Sequence, residues 1–142
     1  MRAVATDADP LVLVVDDQPA VREMVRRTLE GGGYRVGAVE DIERGRQLLA
    51  QEPVSAIVLD VHLAQNRSGL ELLEWVRVSG AVPQIPVLVL TGYQMTIDEE
   101  AAIRRYGAYV FYKTEGLAAL RDYLDRLLRG GGSDLIPTRT RT

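Results

Sequence analysis

The sequence predicts an α/β domain, an open sheet of five parallel strands doubly wound with five helices. Three observations predict it. Short apolar runs of the kind covered on both faces recur five times; segments with helical spacing of apolar residues separate them; and several runs end abruptly in a polar side chain. Parallel neighbours need a long crossover, normally a helix, and right-handed crossovers place helices on both faces of the sheet.

The first strand is Leu11 to Val15, stopped by Asp16 and Asp17. Pro19 suits a first helical position, and Val21, Met24, Val25, Thr28 and Leu29 fall on one face of the helix it opens, which ends at Gly31, Gly32 and Gly33. Tyr34 to Val39 reads as the second strand. Asp41 can cap a helix carrying Ile42, Leu48 and Leu49 up to Pro53. The third strand, Val54 to Leu59, ends like the first in an aspartate, Asp60. A polar loop from His62 to Ser68 leads to a helix with Leu70, Leu73 and Val76 inward. Pro86 to Leu90 is the fourth strand, ending in Thr91 and Gly92, and Thr96 or Asp98 opens the next helix. Ala108 to Tyr112 is the fifth strand, ended by Lys113, and Leu117, Leu120, Leu124, Leu127 and Leu128 mark the last helix. Residues 1–10 lack a period, and residues 130–142, with their glycines, Pro137 and a Thr/Arg repeat, have almost nothing to bury. The expected organisation is one domain over 11–129 between two flexible segments.

The composition removes several function classes. With 142 residues and 46% hydrophobic content the chain can bury a core unaided, and it has no cysteine, so disulfides, thiolate zinc sites and thiol catalysis are excluded. His62 is the only histidine, which rules out a multi-histidine metal site. No apolar run approaches the ~20 residues of a membrane helix, and the first ten residues do not resemble a signal peptide; a soluble, cytoplasmic protein with no membrane association is expected. A net charge of −3, with both signs interspersed, gives no drive toward nucleic acid.

In an open parallel sheet, ligands bind outside the carboxyl ends of the strands. Those ends deliver Asp16 and Asp17, Asp60, Thr91 and Lys113: three carboxylates, a hydroxyl and an ammonium. Clustered carboxylates repel one another unless a cation or a proton relieves them, and hard oxygen donors suit Mg²⁺. A lysine and a hydroxyl beside that ion can hold the oxygens of a transferring phosphoryl group, with one carboxylate as acceptor. Each residue alone has an ordinary explanation: Asp17 can cap the Pro19 helix, Thr91-Gly92 can be a turn, and Lys113 can be a solvated charge. Five polar residues of the right types at the ends of four strands, on one sheet edge, favour the functional reading.

The order Asp16-Asp17, Asp60, Thr91-Gly92 and Lys113 resembles the response-regulator receiver family of two-component signalling over residues 11 to 129. The resemblance implies the flavodoxin-like receiver fold. It implies Asp60 as the residue phosphorylated by a sensor histidine kinase or histidine phosphotransfer protein, and a switch capable of autodephosphorylation, not an enzyme acting on other substrates. It further implies Mg²⁺ as cofactor, with Asp17 and Asp60 as direct ligands, Asp16 acting through water and the His62 backbone carbonyl as another ligand. Lys113 would pair with the phosphoryl group and the Thr91 hydroxyl would swing toward it. The implied output face comprises the fourth helix, fifth strand and fifth helix, with Ile97, Arg104, Arg105, Tyr109, Arg121 and Asp122 toward a downstream protein or a second copy of the chain.

The sequence departs from the family pattern in three places. Leu63-Ala64 replaces Met-Pro, and Gly69 comes nine residues after Asp60 instead of eight, so the intervening loop is expected to be one residue longer. Thr114 follows Lys113 where relatives carry a cis proline, and the expectation is a trans bond. Val110 occupies the place of the family's switch aromatic, with Tyr109, Phe111 and Tyr112 as substitutes. His62 and Tyr93 stand where the family flanks the path of the hydrolytic water; an ordinary solvent-facing loop residue is the alternative for His62.

Competing readings fare less well. A haloacid-dehalogenase-type phosphatase needs Asp-x-Asp after the first strand, whereas Asp16-Asp17-Gln18 stands there. A flavodoxin-like cofactor binder needs a phosphate loop that does not follow the first strand. A phosphorylation-independent interaction module on the same fold is the alternative that remains, and the intact set of five polar residues argues against it.

Overall fold

The structure, a computed structural model, describes residues 9–79, 82–92 and 94–130. The two terminal segments expected to be flexible lie almost wholly outside the described residues, as does Tyr93. Among the described residues, five parallel strands form one sheet in the order β2-β1-β3-β4-β5: β1 (Leu11–Val15), β2 (Arg35–Val39), β3 (Val54–Asp60), β4 (Val87–Thr91) and β5 (Tyr109–Tyr112). The helices that connect and follow them are α1 (Pro19–Gly31), α2 (Ile42–Gln51), α3 (Leu70–Ser79), α4 (Ile97–Tyr106) and α5 (Leu117–Leu128). The chain reverses direction across the sheet between β1 and β3, which makes that edge the place for a ligand.

Continuous apolar strands are buried because helices cover both sheet faces. Leu13, Val15, Ile57, Leu59, Val87 and Val89 pack with Ile42, Leu72, Leu73 and Ile103 of α2, α3 and α4. Val12, Val14, Val58, Leu88, Leu90 and Phe111 pack with Val25, Leu29, Leu120 and Leu124 of α1 and α5 on the other face. Alternate residues of each strand thus enter opposite layers, as the pleat requires.

Local signals set the helix starts. Pro19 begins α1, with Gln18 at the N-cap and no side-chain cap bond, so Asp17 is not the cap of this helix. Asp41 caps α2 by accepting the Arg44 N–H at 2.8 Å. Thr96, not Asp98, starts α4, in a reciprocal capping box with Glu99. One expectation fails: helical spacing puts Met24 on the inward face of α1, but it is 56% exposed, because its position falls at the margin of the stripe centred on Val25 and Leu29. β5 starts at Tyr109, since Ala108 precedes the paired register, and Lys113 opens a short 3-10 turn.

Candidate functional site

Strand register brings the polar strand ends together. Val15 pairs with Leu59 and with Val39, so the next step along β1 and β3 sets Asp16 beside Asp60. Asp60 pairs with Leu90 and Thr91 with Tyr112, which puts Thr91 and Lys113 on the same edge. Among the described residues, the buried polar or charged side chains are Asp16, Asp60 and Thr91, all three in this site. Burying polar groups is unfavourable without partners, so their coincidence at one edge points to chemistry, not packing.

Asp16, Asp17 and Asp60 each offer a carboxylate oxygen within 4.8 Å of the others. Asp16 Oδ1 accepts the Gln18 N–H at 2.9 Å, while its buried Oδ2 has no hydrogen-bond partner. Burial first, and then the like charges of Asp60 and Asp17, hold the Asp16 carboxyl above its ordinary value of 3.8, against the opposing pull of the Gln18 N–H and of Lys113. An orphaned buried oxygen facing two further carboxylates is a donor set that fits a hard divalent cation such as Mg²⁺.

Asp60 is held from two sides. Its Oδ2 accepts from Lys113 Nζ at 3.1 Å and its Oδ1 from the His62 backbone N–H at 3.2 Å. The five predicted residues are therefore gathered at one rim, with His62 on the loop beside them.

The β3–α3 loop forms a small hairpin. His62 and Ser68 form an antiparallel bridge, and the Leu63 N–H donates to Arg67 O at 2.9 Å across a 3-10 turn. Within it Gln65 and Asn66 take φ values of 62° and 57°, in the left-handed region. Gly69 closes the hairpin through its N–H to Val61 O at 2.6 Å, and a Cβ there would lie 2.0 Å from the Asp60 carbonyl oxygen. The glycine is needed for close approach to the end of β3. Beside this loop, Asp17, Glu40, Asp41, Glu43, Leu63 and Arg67 line part of a cavity of about 270 Å³. Arg67 bridges the loop to α2 through Glu43 at 3.1 Å and to α3 through Glu71 at 3.1 Å.

Lys113 and Thr114 are joined by a trans bond, as expected; among the described residues there is no cis peptide. Of the three aromatic substitutes, Tyr109 and Phe111 lie on the α5 side, edge-on to Tyr123 at 6.2 and 5.9 Å. Tyr112 lies with Val110 on the α4 side, in a cleft with Met95, Ile103 and Arg104, and it pairs in register with Thr91. Sequence reasoning missed Glu99, Arg77 and the closeness of Gly69 to Asp60. The Thr96-to-Glu99 spacing was a readable capping signal, but its link to His62 was not.

A doubly wound parallel sheet with an acidic trio, a threonine and a lysine on its carboxyl edge defines an α/β domain of two-component signalling. The chain belongs to the response regulator receiver domain family, whose sequence profile matches residues 12–125. It is 34% identical over 126 residues to the response regulator MprA of Mycolicibacterium vanbaalenii, covering 86% of this chain and 53% of that protein. It is 31% identical over 118 residues to the response regulator protein PilR of Pseudomonas aeruginosa, covering 82% of this chain and 26% of that one. The chain thus spans about half the length of the first relative and about a quarter of the second. Among solved structures it resembles the Vibrio cholerae chemotaxis protein CheY4, with a TM-score of 0.77 at 27% identity over 85% of this chain and 100% of that one. Among the described residues no helix is long and apolar enough to cross a membrane.

Proposed function

We propose that this receiver domain is a Mg²⁺-dependent switch that accepts a phosphoryl group on Asp60. The observation that carries the reading is the buried Asp60 carboxylate, held by Lys113 at 3.1 Å and flanked by Asp16 and Asp17. An Asp60 oxygen attacks the phosphorus of a phosphohistidine on a sensor histidine kinase or histidine phosphotransfer protein. The O–P bond forms, the P–N bond breaks, and the electron pair stays on the donor imidazole. Asp17 and Asp60, the His62 carbonyl and, through water, Asp16 would hold Mg²⁺, which when bound supplies positive charge to the transferring oxygens. Lys113 neutralises the same charge from the other side, and the Thr91 hydroxyl donates to a phosphoryl oxygen. Hydrolysis of the acyl phosphate by water resets the switch.

The output reading follows from exposure. Ile97 is 86% exposed, and Arg104, Arg105 and Asp122 are also exposed on α4 and α5, the elements of the α4-β5-α5 face where a downstream protein or a second copy of the chain would dock; Tyr109 instead packs toward Tyr123. The register pairing of Tyr112 with Thr91 supports Tyr112 as the aromatic that responds to it. A chain without cysteines, working with a kinase, suits the cytoplasm. Nothing favours a phosphorylation-independent module over this reading. Intact mass after incubation with Mg²⁺ and acetyl phosphate tests it: the wild type gains one phosphoryl group and Asp60→Asn gains none. Equal labelling of the two would refute the assignment.

A further inference from the structure

Glu99 joins two regions that the sequence keeps apart. Its Oε1 accepts the Thr96 N–H at 2.8 Å while Thr96 Oγ1 accepts the Glu99 N–H at 3.1 Å, closing the capping box at the start of α4. Its Oε2 lies 3.0 Å from His62 Nε2, and because a carboxylate only accepts, the imidazole donates. His62 in turn gives its backbone N–H to Asp60 Oδ1 at 3.2 Å. A continuous polar chain therefore runs from the acceptor carboxylate through His62 into the first turn of α4.

The other end of α4 is attached differently. The Arg77 guanidinium donates to Tyr106 O at 2.7 Å and Gly107 O at 2.8 Å while also holding Pro83 O and Ile85 O at 3.1 and 2.7 Å. The Tyr106 hydroxyl adds a bond to Glu74 at 3.1 Å. Between these ends α4 fully buries Ile103, with Ala102 and Tyr106 half-buried against the same core, where α3 buries four side chains. With less apolar area to fix it than α3 has, α4 leans more on its polar attachments for its orientation.

We propose that the His62–Glu99 pair is a latch that holds the N-terminal end of α4 against the acceptor loop in the unphosphorylated chain and lets go when Asp60 is phosphorylated, so that α4 pivots about the end held by Arg77. The proposal rests on the reading of Asp60 as acceptor. An aspartyl phosphate brings a charge of about −1.5 to −2 and several strong acceptor oxygens to the loop that carries His62. Those oxygens compete with the single negative charge of Glu99 for the same donor. Such a route would act beside Tyr112, since Val110 stands where the family places its switch aromatic and Tyr109 and Phe111 pack on the opposite face of the sheet.

Amide hydrogen exchange followed by NMR on the full chain tests the latch at Thr96, Glu99 and Glu100, whose N–H groups are bonded within the cap. In the untreated protein, His62→Ala, which leaves α4 itself unaltered, should speed their exchange by about tenfold. Glu99→Met should release the same loop from the other side, exposing the amides around His62 and Ser68. His62→Gln, which keeps a side-chain donor, should restore exchange to within about threefold of the wild type. Mg²⁺ with acetyl phosphate should speed exchange in the wild type to the level of His62→Ala and add nothing in that variant. Unchanged cap exchange in untreated His62→Ala overturns the latch, and so does a wild-type cap that stays protected while intact mass shows full labelling. If the wild type takes no label, the acceptor reading fails instead, and the untreated samples alone decide whether the pair holds α4.

Discussion

Lys113 Nζ lies 3.1 Å from Asp60 Oδ2, although the two residues stand 53 positions apart in the chain. β4 lies between the strands that deliver them, and the contact exists because both strands end at the same sheet edge. Lys113 contributes a positive charge where phosphoryl oxygens would gather. Lys113→Met should therefore slow phosphoryl incorporation at Asp60 on the order of 100-fold while leaving the three carboxylates able to bind Mg²⁺. Labelling followed against time by intact mass checks the rate; a change within about threefold would contradict the role.

Asp16 gives the metal-free protein a pH dependence of definite sign. Its folded carboxyl titrates above 3.8 and its unfolded one near that value, so between the two the folded chain binds more protons. The group's contribution to stability is greatest at low pH and is lost as pH rises through the folded value. Asp16→Asn keeps the acceptor for the Gln18 N–H and removes the charge. In chelator at neutral pH it should be more stable than the wild type, and the difference should shrink on acidification as the wild-type carboxyl takes up its proton. Urea titrations at several pH values measure it. A variant that is less stable at every pH would count against the repulsion.

Gly69→Ala should destabilise the fold by ~2–4 kcal/mol, because its Cβ would meet the Asp60 carbonyl oxygen at 2.0 Å and Leu59 Cδ1 at 2.9 Å, and the oxygen belongs to a central strand that cannot yield. Denaturant unfolding checks the stability, and labelling of the folded fraction should fall with it, since the acceptor's own backbone is displaced.

Arg77→Met keeps the aliphatic stem and deletes a guanidinium that satisfies four backbone carbonyls at the ends of α4 and of the α3–β4 connection. The expected loss is ~2–4 kcal/mol in thermal or urea unfolding, more than a surface ion pair such as Arg67–Glu43 can supply. An effect below about 0.5 kcal/mol would mean that water satisfies those carbonyls equally well.

The sheet and the rim of the site were legible because their signals are local. Val12 to Val15 and Ile57 to Leu59 are continuous apolar runs, and a charge directly after each marks where the strand leaves the core. Thr91 and Lys113 could be assigned by the same logic, since strands of a parallel sheet must all end on one edge. The position of Met24 was not legible, because one residue at the margin of a helical stripe packs or not according to a neighbouring helix whose crossing the period does not specify. Nor could spacing reveal the His62–Glu99 pair across 37 positions or the reach of Arg77 to the far end of α4. Those bonds depend on loop paths, and the left-handed turn at Gln65 and Asn66 that shapes one of them has no apolar pattern to announce it.

Asp60 as the site of phosphorylation is the claim on which the switch depends, and chemical mapping of the labelled residue tests it most directly. Aspartyl phosphate is reduced by borohydride to homoserine, so protein treated with Mg²⁺ and acetyl phosphate, then reduced and digested, should carry homoserine at position 60 in peptide mass spectra. Homoserine at Asp16 or Asp17 with an intact Asp60, or at no aspartate while the protein still carries phosphate, would contradict the account.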